Sequence, residues 1–347
     1  MIKATEGIVA VWASCYNKNN NTRHASLQCA PRRVFLLFML KLNTTFVKPP
    51  LAIDDQLDRL ISRGVIIQDR NLARHYLSYI SYYRFCGYAI EFEGEPAKDE
   101  KCYRAGTTFE QILDCYNFDR KLRLFVIDAI ERIEIAIRAV MINELAMKYD
   151  DAHWYLNKDL FLSKFKHADL IQSIKKETKY KVQNGSYQDK KQERFIRHYF
   201  DKYQKPELPA IWMVAEVLPL GSWSMIFANL ADRENQKIIC KHFGINYVVM
   251  KSWLHVLTYL RNLCAHHSKL WSRNFTLKPV IAKKYSLQLK KNSRFSAQAA
   301  ILKVFLDVIS PGHCWALNLR KLIDGHPYVN ISKMGFENNW IDHPFWN

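Results

Sequence analysis

The sequence predicts an all-α protein, a helical bundle with long central helices and additional helical insertions. Three observations carry this expectation. Glycine and proline are scarce, 11 of each in 347 residues, so long stretches hold nothing that interrupts a helix. Apolar residues recur at the helical period through most of the chain. Little of it alternates as a half-buried strand would, and no internal repeat is visible. With 49% hydrophobic residues the chain can build a sizeable core, and its length alone admits two domains.

The first 42 residues differ from the rest. A polar stretch at 17–21 and the pair Arg32-Arg33 lead into a short apolar run at 34–40. That run starts too late for a secretory signal, and no small-residue cleavage site follows. Residues 1–42 are therefore expected to be a poorly ordered or spurious extension, with Met39 as an alternative start. The helical domain is expected over 43–310. Residues 311–347 form a tail without readable periodicity.

Within the domain, Lys48-Pro49-Pro50 reads as extended, and Asp54 or Asp55 caps a short helix that stops at Gly64. A second helix follows Asp69 and runs through LARHYLSYISYYRFCGY. Residues 91–106 read as a charged loop. From Thr107 or Thr108 a long helix extends to about residue 149, with a break expected near 117–119. On it Glu131, Glu134 and Arg138 form a polar stripe between apolar flanks (Ile127, Ile130, Ile133, Ile137, Val140 and Met141). An exposed ladder of this kind stabilises a helix by only a few tenths of a kcal/mol. A covered one needs partners, and the expected partner is the helix that carries Arg261.

Residues 158–205 hold 13 Lys and Arg against 6 Asp and Glu, a net of +7. With Tyr180, Tyr187, Tyr199 and Tyr203 interspersed and a turn at 184–186, this reads as a basic helical insertion suited to RNA. Helices follow at 210–218, where Pro209 introduces the helix and Pro219 ends it, then at 222–230 and 232–243. Asn246 caps the next one. Residues 273–294 contain seven Lys and Arg and no acid, a one-sign stretch that suits phosphate contact. A final helix covers 297–309.

The helix that begins after Asn246 carries the chemistry. On a helical wheel, Val249, Trp253, Val256, Leu257, Leu260, Leu263 and Cys264 share an apolar arc. The opposite arc holds His255, Thr258, Tyr259, Arg261, Asn262 and His266, groups that donate hydrogen bonds, move protons or carry charge. His255, Tyr259, Asn262 and His266 share one stripe. Arg261 and His266 are five apart, roughly 140° around the axis. To act together they need the helix to loosen near Ala265, or the Arg261 side chain to wrap round, or a second copy of the chain to complete the site.

Charge and composition agree with an anionic partner. Lys and Arg number 51 against 33 Asp and Glu, a formal net charge of +18, and such a field attracts polyanions whatever the fold. No run approaches the roughly 18 apolar residues of a membrane span. Aromatic residues among the basic ones suit base stacking. RNA is thus the expected partner and a membrane is not; a merely basic surface is the plainer alternative. The eight cysteines form no C-x-x-C pair and sit in apolar patterns. They predict reduced, buried thiols in a cytoplasmic protein and no metal site. No cofactor is expected.

The run Arg261-Asn262-Leu263-Cys264-Ala265-His266-His267, continuing to Lys269, Trp271 and Arg273, resembles the Arg-x4-6-His motif of HEPN ribonucleases. In the fuller form RNLCAHHSKLWSR it resembles the Abi family of bacterial abortive-infection proteins. Tyr82-Tyr83-Arg84-Phe85-Cys86-Gly87-Tyr88 resembles that family's aromatic-Arg-x-x-Gly-Tyr signature, and the pattern around Glu131, Glu134 and Arg138 is similar too. The likeness covers roughly residues 46–279. It implies a HEPN-like bundle, a phage-defence or toxin setting, restraint by a noncoding RNA or a protein antitoxin, and a homodimer with two motif helices lining one cleft.

Such a site could cleave RNA without a metal. The 2′-hydroxyl beside each phosphate is a built-in nucleophile; it must lose a proton, the phosphorane dianion must be stabilised, and the 5′-oxygen must gain a proton. Histidine can move the protons, and arginine presents a planar fork to phosphate oxygens. The expectation assigns His266 the proton transfer, Arg261 the charge and Asn262 the positioning. His267, Tyr259, Glu131, Glu134 and Arg138 are expected to support them. Lys269, Arg273, Lys278, Lys283, Lys284, Tyr83 and Arg84 are expected to touch RNA. The products would be a 2′,3′-cyclic phosphate and a 5′-hydroxyl.

Other readings stand beside this one. Arg261 and His266 also suit a helix C-terminus, where positive charge complements the dipole. A non-catalytic protein could use the same groups to clamp phosphate and sequester RNA or hold a cognate noncoding RNA. Some HEPN toxins are modified by nucleotidyl transfer on a Tyr two residues after the motif His, and here that position is Ser268. A metal-dependent nuclease would call for clustered acids, which the sequence lacks.

Overall fold

The protein was analysed as a computed structural model that describes residues 49–95, 101–178 and 193–347. Residues 1–42, Tyr180, Tyr187 and the turn expected at 184–186 lie outside the described residues. The architecture is an all-α bundle, 65% helical with 13 helices and no sheet among the described residues. In order these are α1 (Ile53–Ser62), α2 (Arg70–Ile80), α3 (Tyr82–Ala89), α4 (Phe109–Tyr149), α5 (His167–Glu177), α6 (Arg194–Lys202) and α7 (Ile211–Val217). They continue with α8 (Leu220–Asn229), α9 (Arg233–Phe243), α10 (Tyr247–Ala265), α11 (Phe295–Ile309), α12 (Trp315–Asp324) and α13 (Ile331–Met334). No helix among them is long and apolar enough to cross a membrane.

The bundle of Ile53–Asn347 is organised on α4. Its N-terminus is fixed by a capping box, Thr108 and Gln111 each bonding the other's backbone N–H, which satisfies two of the free amides of a helix start. Over 41 residues, about 60 Å of axis, it buries Ile112, Cys115, Phe118, Leu122, Val126, Ile130, Ile133, Ile137, Met141 and Leu145. Helices α3, α9, α10, α11 and α12 all pack on it. Several faces of α4 are therefore covered, which explains an apolar pattern wider than a single stripe.

Two expectations about helix breaks are corrected. The long helix is unbroken through 117–119. Asp119 there is fully buried and bonded to partners outside the helix, so its polarity marks a contact and no interruption. The helix expected after Asp69 is instead two helices. Asp69 does cap α2 by accepting from the Leu72 amide. Ser81 then adopts φ 67 and caps α3 by accepting from the Arg84 amide. A positive φ at a residue with a Cβ is uncommon, and here it turns the chain so that Arg84 faces the far end of α10.

The C-terminal residues have structure that no periodicity announced. Trp315 and Leu319 of α12, Met334 of α13, and Phe336, Trp340 and Trp346 are all buried. The Trp340 and Trp346 rings meet edge to face at 5.0 Å, a favourable aromatic geometry. In the basic insertion, α5 buries Leu170 and Ile174 in the main core, while Ile196, Tyr199 and Phe200 of α6 form a separate small cluster against α7. Cys115, Cys240 and Cys264 are buried, and burial pushes their thiols up to about 12.

Candidate functional site

The wheel reading of α10 holds. Val249, Trp253, Val256, Leu257, Leu260 and Cys264 are buried, Leu263 is half-buried, and His255, Arg261, Asn262 and His266 are exposed. Asn246 caps the helix through the Val249 amide at 3.0 Å. The helix ends in a Schellman motif: the His267 amide donates to the Cys264 carbonyl at 3.0 Å and the Ser268 amide to the Leu263 carbonyl at 2.8 Å. That motif needs a left-handed residue, and His267 supplies it with φ 56.

Because α10 stays regular through Ala265, it does not loosen between Arg261 and His266. The Arg261 side chain does lean toward the outer ridge, with its Nη1 donating to Asn262 Oδ1 at 3.5 Å. Arg261, Asn262 and His266 are thus all exposed near the C-terminal end of the helix, with Arg261 and His266 still about 140° apart around its axis. No described element of the chain covers them.

One flank of this ridge is the basic stretch after the motif, which runs antiparallel to α10. The Thr276 hydroxyl donates to the Tyr259 hydroxyl at 3.1 Å, the Val280 amide donates to Ser252 Oγ at 2.9 Å, and the Trp253 indole donates to the Val280 carbonyl at 3.0 Å. Lys278, Lys283 and Lys284 are exposed on this strap. Tyr259 is half-buried and anchors it.

The other flank is a groove of about 510 Å³ between the end of α10, the α2–α3 turn and α4. Tyr79, Tyr116, Arg84, Arg120 and Arg123 line it, with Ala265 and His267 on the motif side. Arg84 donates through Nη2 to the His267 carbonyl and so ties the Tyr82–Ala89 helix to the motif turn. Tyr83 is 92% exposed.

Sequence reasoning missed the two acids that hold the turn after the motif. Asp119 accepts from the Leu270 amide at 2.9 Å, the Trp271 amide at 2.6 Å and the Tyr88 hydroxyl at 2.7 Å, and it pairs with Arg123. Burial pushes its carboxyl up, while these donors pull it back. Glu91 accepts from the Ser272 hydroxyl and pairs with Lys269 at 3.4 Å. The signal for Asp119 was in the sequence: it falls on the stripe of Cys115, Leu122 and Val126, where a lone acid requires partners. Glu91 offered none.

Several expected roles are corrected by these contacts. Lys269 points inward: its ammonium donates to the Gly87 carbonyl at 3.0 Å, pairs with Glu91, and lies 5.3 Å from the Tyr88 ring and 5.1 Å from the Trp271 ring. Burial lowers its pKa. Arg273 is half-buried and donates from Nε to the Lys269 carbonyl at 2.6 Å. Glu134 and Arg138 are indeed largely covered, but they pair with each other, and Arg138 donates to the Leu218 carbonyl at 2.8 Å instead of meeting the helix of Arg261. Glu131 is exposed.

A family model described as Abi-like protein matches residues 75–272. That span takes in the α2–α3 turn, the whole of α4, the exposed end of α10 and Trp271. Comparison with curated proteins and with solved structures gives no match.

Proposed function

We propose, from the premise that this chain belongs to the Abi-like protein family, that it is a metal-independent endoribonuclease of an abortive-infection or toxin–antitoxin system. The family points to abortive infection and phage defence. The observation that supports cleavage is the uncovered trio of Arg261, Asn262 and His266 at the end of α10, flanked by the strap lysines and by the groove arginines.

In this reading the RNA backbone lies across the α10 ridge. Arg261 faces the non-bridging phosphate oxygens, where a guanidinium fork can stabilise the dianion of the phosphorane. His266 takes the proton from the 2′-hydroxyl or gives one to the 5′-oxygen. Asn262, bonded to Arg261, holds it in position. A single copy supplies one such histidine on the ridge, whereas transesterification needs a base and an acid. Two copies related by a two-fold axis would place a second α10 end opposite the first and supply both.

The second reading is an RNA-binding protein that sequesters RNA or holds a cognate noncoding RNA, and the same exposed cations favour it. His266→Ala separates the two readings. A nuclease loses cleavage by at least 100-fold in EDTA and keeps its RNA affinity; a sequestering protein shows no cleavage to lose.

A further inference from the structure

The groove beside the motif has a composition that the ridge and strap do not explain. Of its three arginines, Arg123 is neutralised by Asp119 beneath it. Arg84 spends Nη2 on the His267 carbonyl, which leaves its other N–H groups free for a ligand. Arg120 is exposed and makes no ion pair with a described residue. No carboxylate lines the groove, so two positive charges stand uncompensated at its rim. Its walls also carry Tyr116 and Tyr79, the latter 81% exposed. The Tyr79 ring meets His75, one turn earlier on α2, at 5.1 Å, and most of its surface remains open to solvent.

Cationic rim, aromatic wall and apolar floor form the combination that takes a nucleotide: a planar base stacks on the ring and its phosphate meets the guanidinium forks. A space of about 510 Å³ lies within the range of small-molecule sites, roughly 300–1,000 Å³. Ala265 lines the groove and Arg261 sits one turn earlier on the same face of α10. A strand lying in the groove therefore continues directly onto the ridge.

We infer that this groove is a single-stranded RNA subsite, holding the nucleotide next to the scissile bond with its base on Tyr79 or Tyr116 and its phosphate on Arg84 and Arg120. The choice of RNA as ligand rests on the reading given under Proposed function; the groove itself rests on its own geometry. His267 contributes to its wall, which gives the second motif histidine a place distinct from that of His266.

The test measures binding of a fluorescein-labelled oligoribonucleotide by anisotropy, in a His266→Ala background so that no cleavage intervenes. Arg120→Ala and Tyr79→Ala each weaken binding about tenfold, Arg120→Ala lowers the salt slope by about 0.7, and Tyr79→Phe retains parental affinity. Lys321→Ala, exposed on α12, serves as the remote control. Both altered side chains are exposed, so unfolding curves stay at the parent's values. Affinities of Arg120→Ala and Tyr79→Ala within twofold of the parent overturn the subsite, even if the otherwise unmodified protein cleaves RNA. If that protein cleaves nothing while the two variants still lose affinity, the groove stands and the nuclease falls.

Discussion

The Leu270 amide donates at 2.9 Å to the carboxylate of Asp119, 151 residues earlier in the chain. That bond and its neighbour from Trp271 fasten the end of the motif to the middle of the longest helix. The direction in which the motif residues leave α10 is thereby set from the core of the bundle.

Asp119→Ala should accordingly act on stability and site together. Removing one member of a buried ion pair leaves Arg123 uncompensated, at a cost of about 3–5 kcal/mol, and frees two backbone amides. Urea unfolding should show that loss. Hydrogen exchange should show faster exchange at Leu270 and Trp271. A variant as stable as the parent would mean that the pair contributes no net stability.

Much of the fold was legible in the sequence because helix caps are local. Asp69, Thr108 and Asn246 each accept from the backbone amide three residues on, whereas Asp54 and Asp55, expected to cap the first helix, lie within its first turn because the helix starts at Ile53. What escaped depends on partners far away in the chain. Asp119 looked like a break because the donors that hold it from outside the helix are distant in sequence: the Tyr88 hydroxyl 31 residues earlier and the Leu270 and Trp271 amides 151 and 152 residues later. Lys269 looked like a phosphate ligand because Glu91 and the Tyr88 ring, which enclose it, are distant in sequence. The packed C-terminus escaped because its tryptophans meet across turns with no regular spacing.

Stability should fall as the solution becomes alkaline. Cys115, Cys240 and Cys264 are raised by burial from 9.0 to about 12, so between those values the unfolded chain releases protons that the folded chain retains. The stabilisation is complete below about pH 9 and is lost as pH rises toward 12. Each thiol contributes a slope of up to about 1.4 kcal/mol per pH unit. Urea midpoints measured from pH 8 to 11 check this; a flat profile above pH 9 contradicts it.

The strap lysines and Lys269 should separate in RNA binding. Replacing Lys278, Lys283 and Lys284 by Ala together should lower the slope of log affinity against log salt by about 2, near 0.7 per phosphate contact on a single strand. Lys269→Met should leave that slope unchanged, because its ammonium is spent on Gly87 and Glu91. Equal effects from the strap and Lys269 would place the lysine at the surface after all.

Composite sites have a mixing signature. Parental chain co-expressed with His266→Ala should give mixed dimers that hold one His266 and therefore cleave at least tenfold more slowly than the parental dimer. If isolated mixed dimers keep about half of the parental rate, each copy works alone.

Cleavage chemistry itself is read most directly from the ends it leaves. Labelled single-stranded RNA, incubated with the purified protein in excess EDTA, should yield fragments with 2′,3′-cyclic phosphate and 5′-hydroxyl termini, and Arg261→Ala or His266→Ala should reduce their appearance at least 100-fold. Intact RNA after prolonged incubation at high protein concentration, or cleavage that persists unchanged in both variants, would contradict the assignment of Arg261 and His266 as a ribonuclease site.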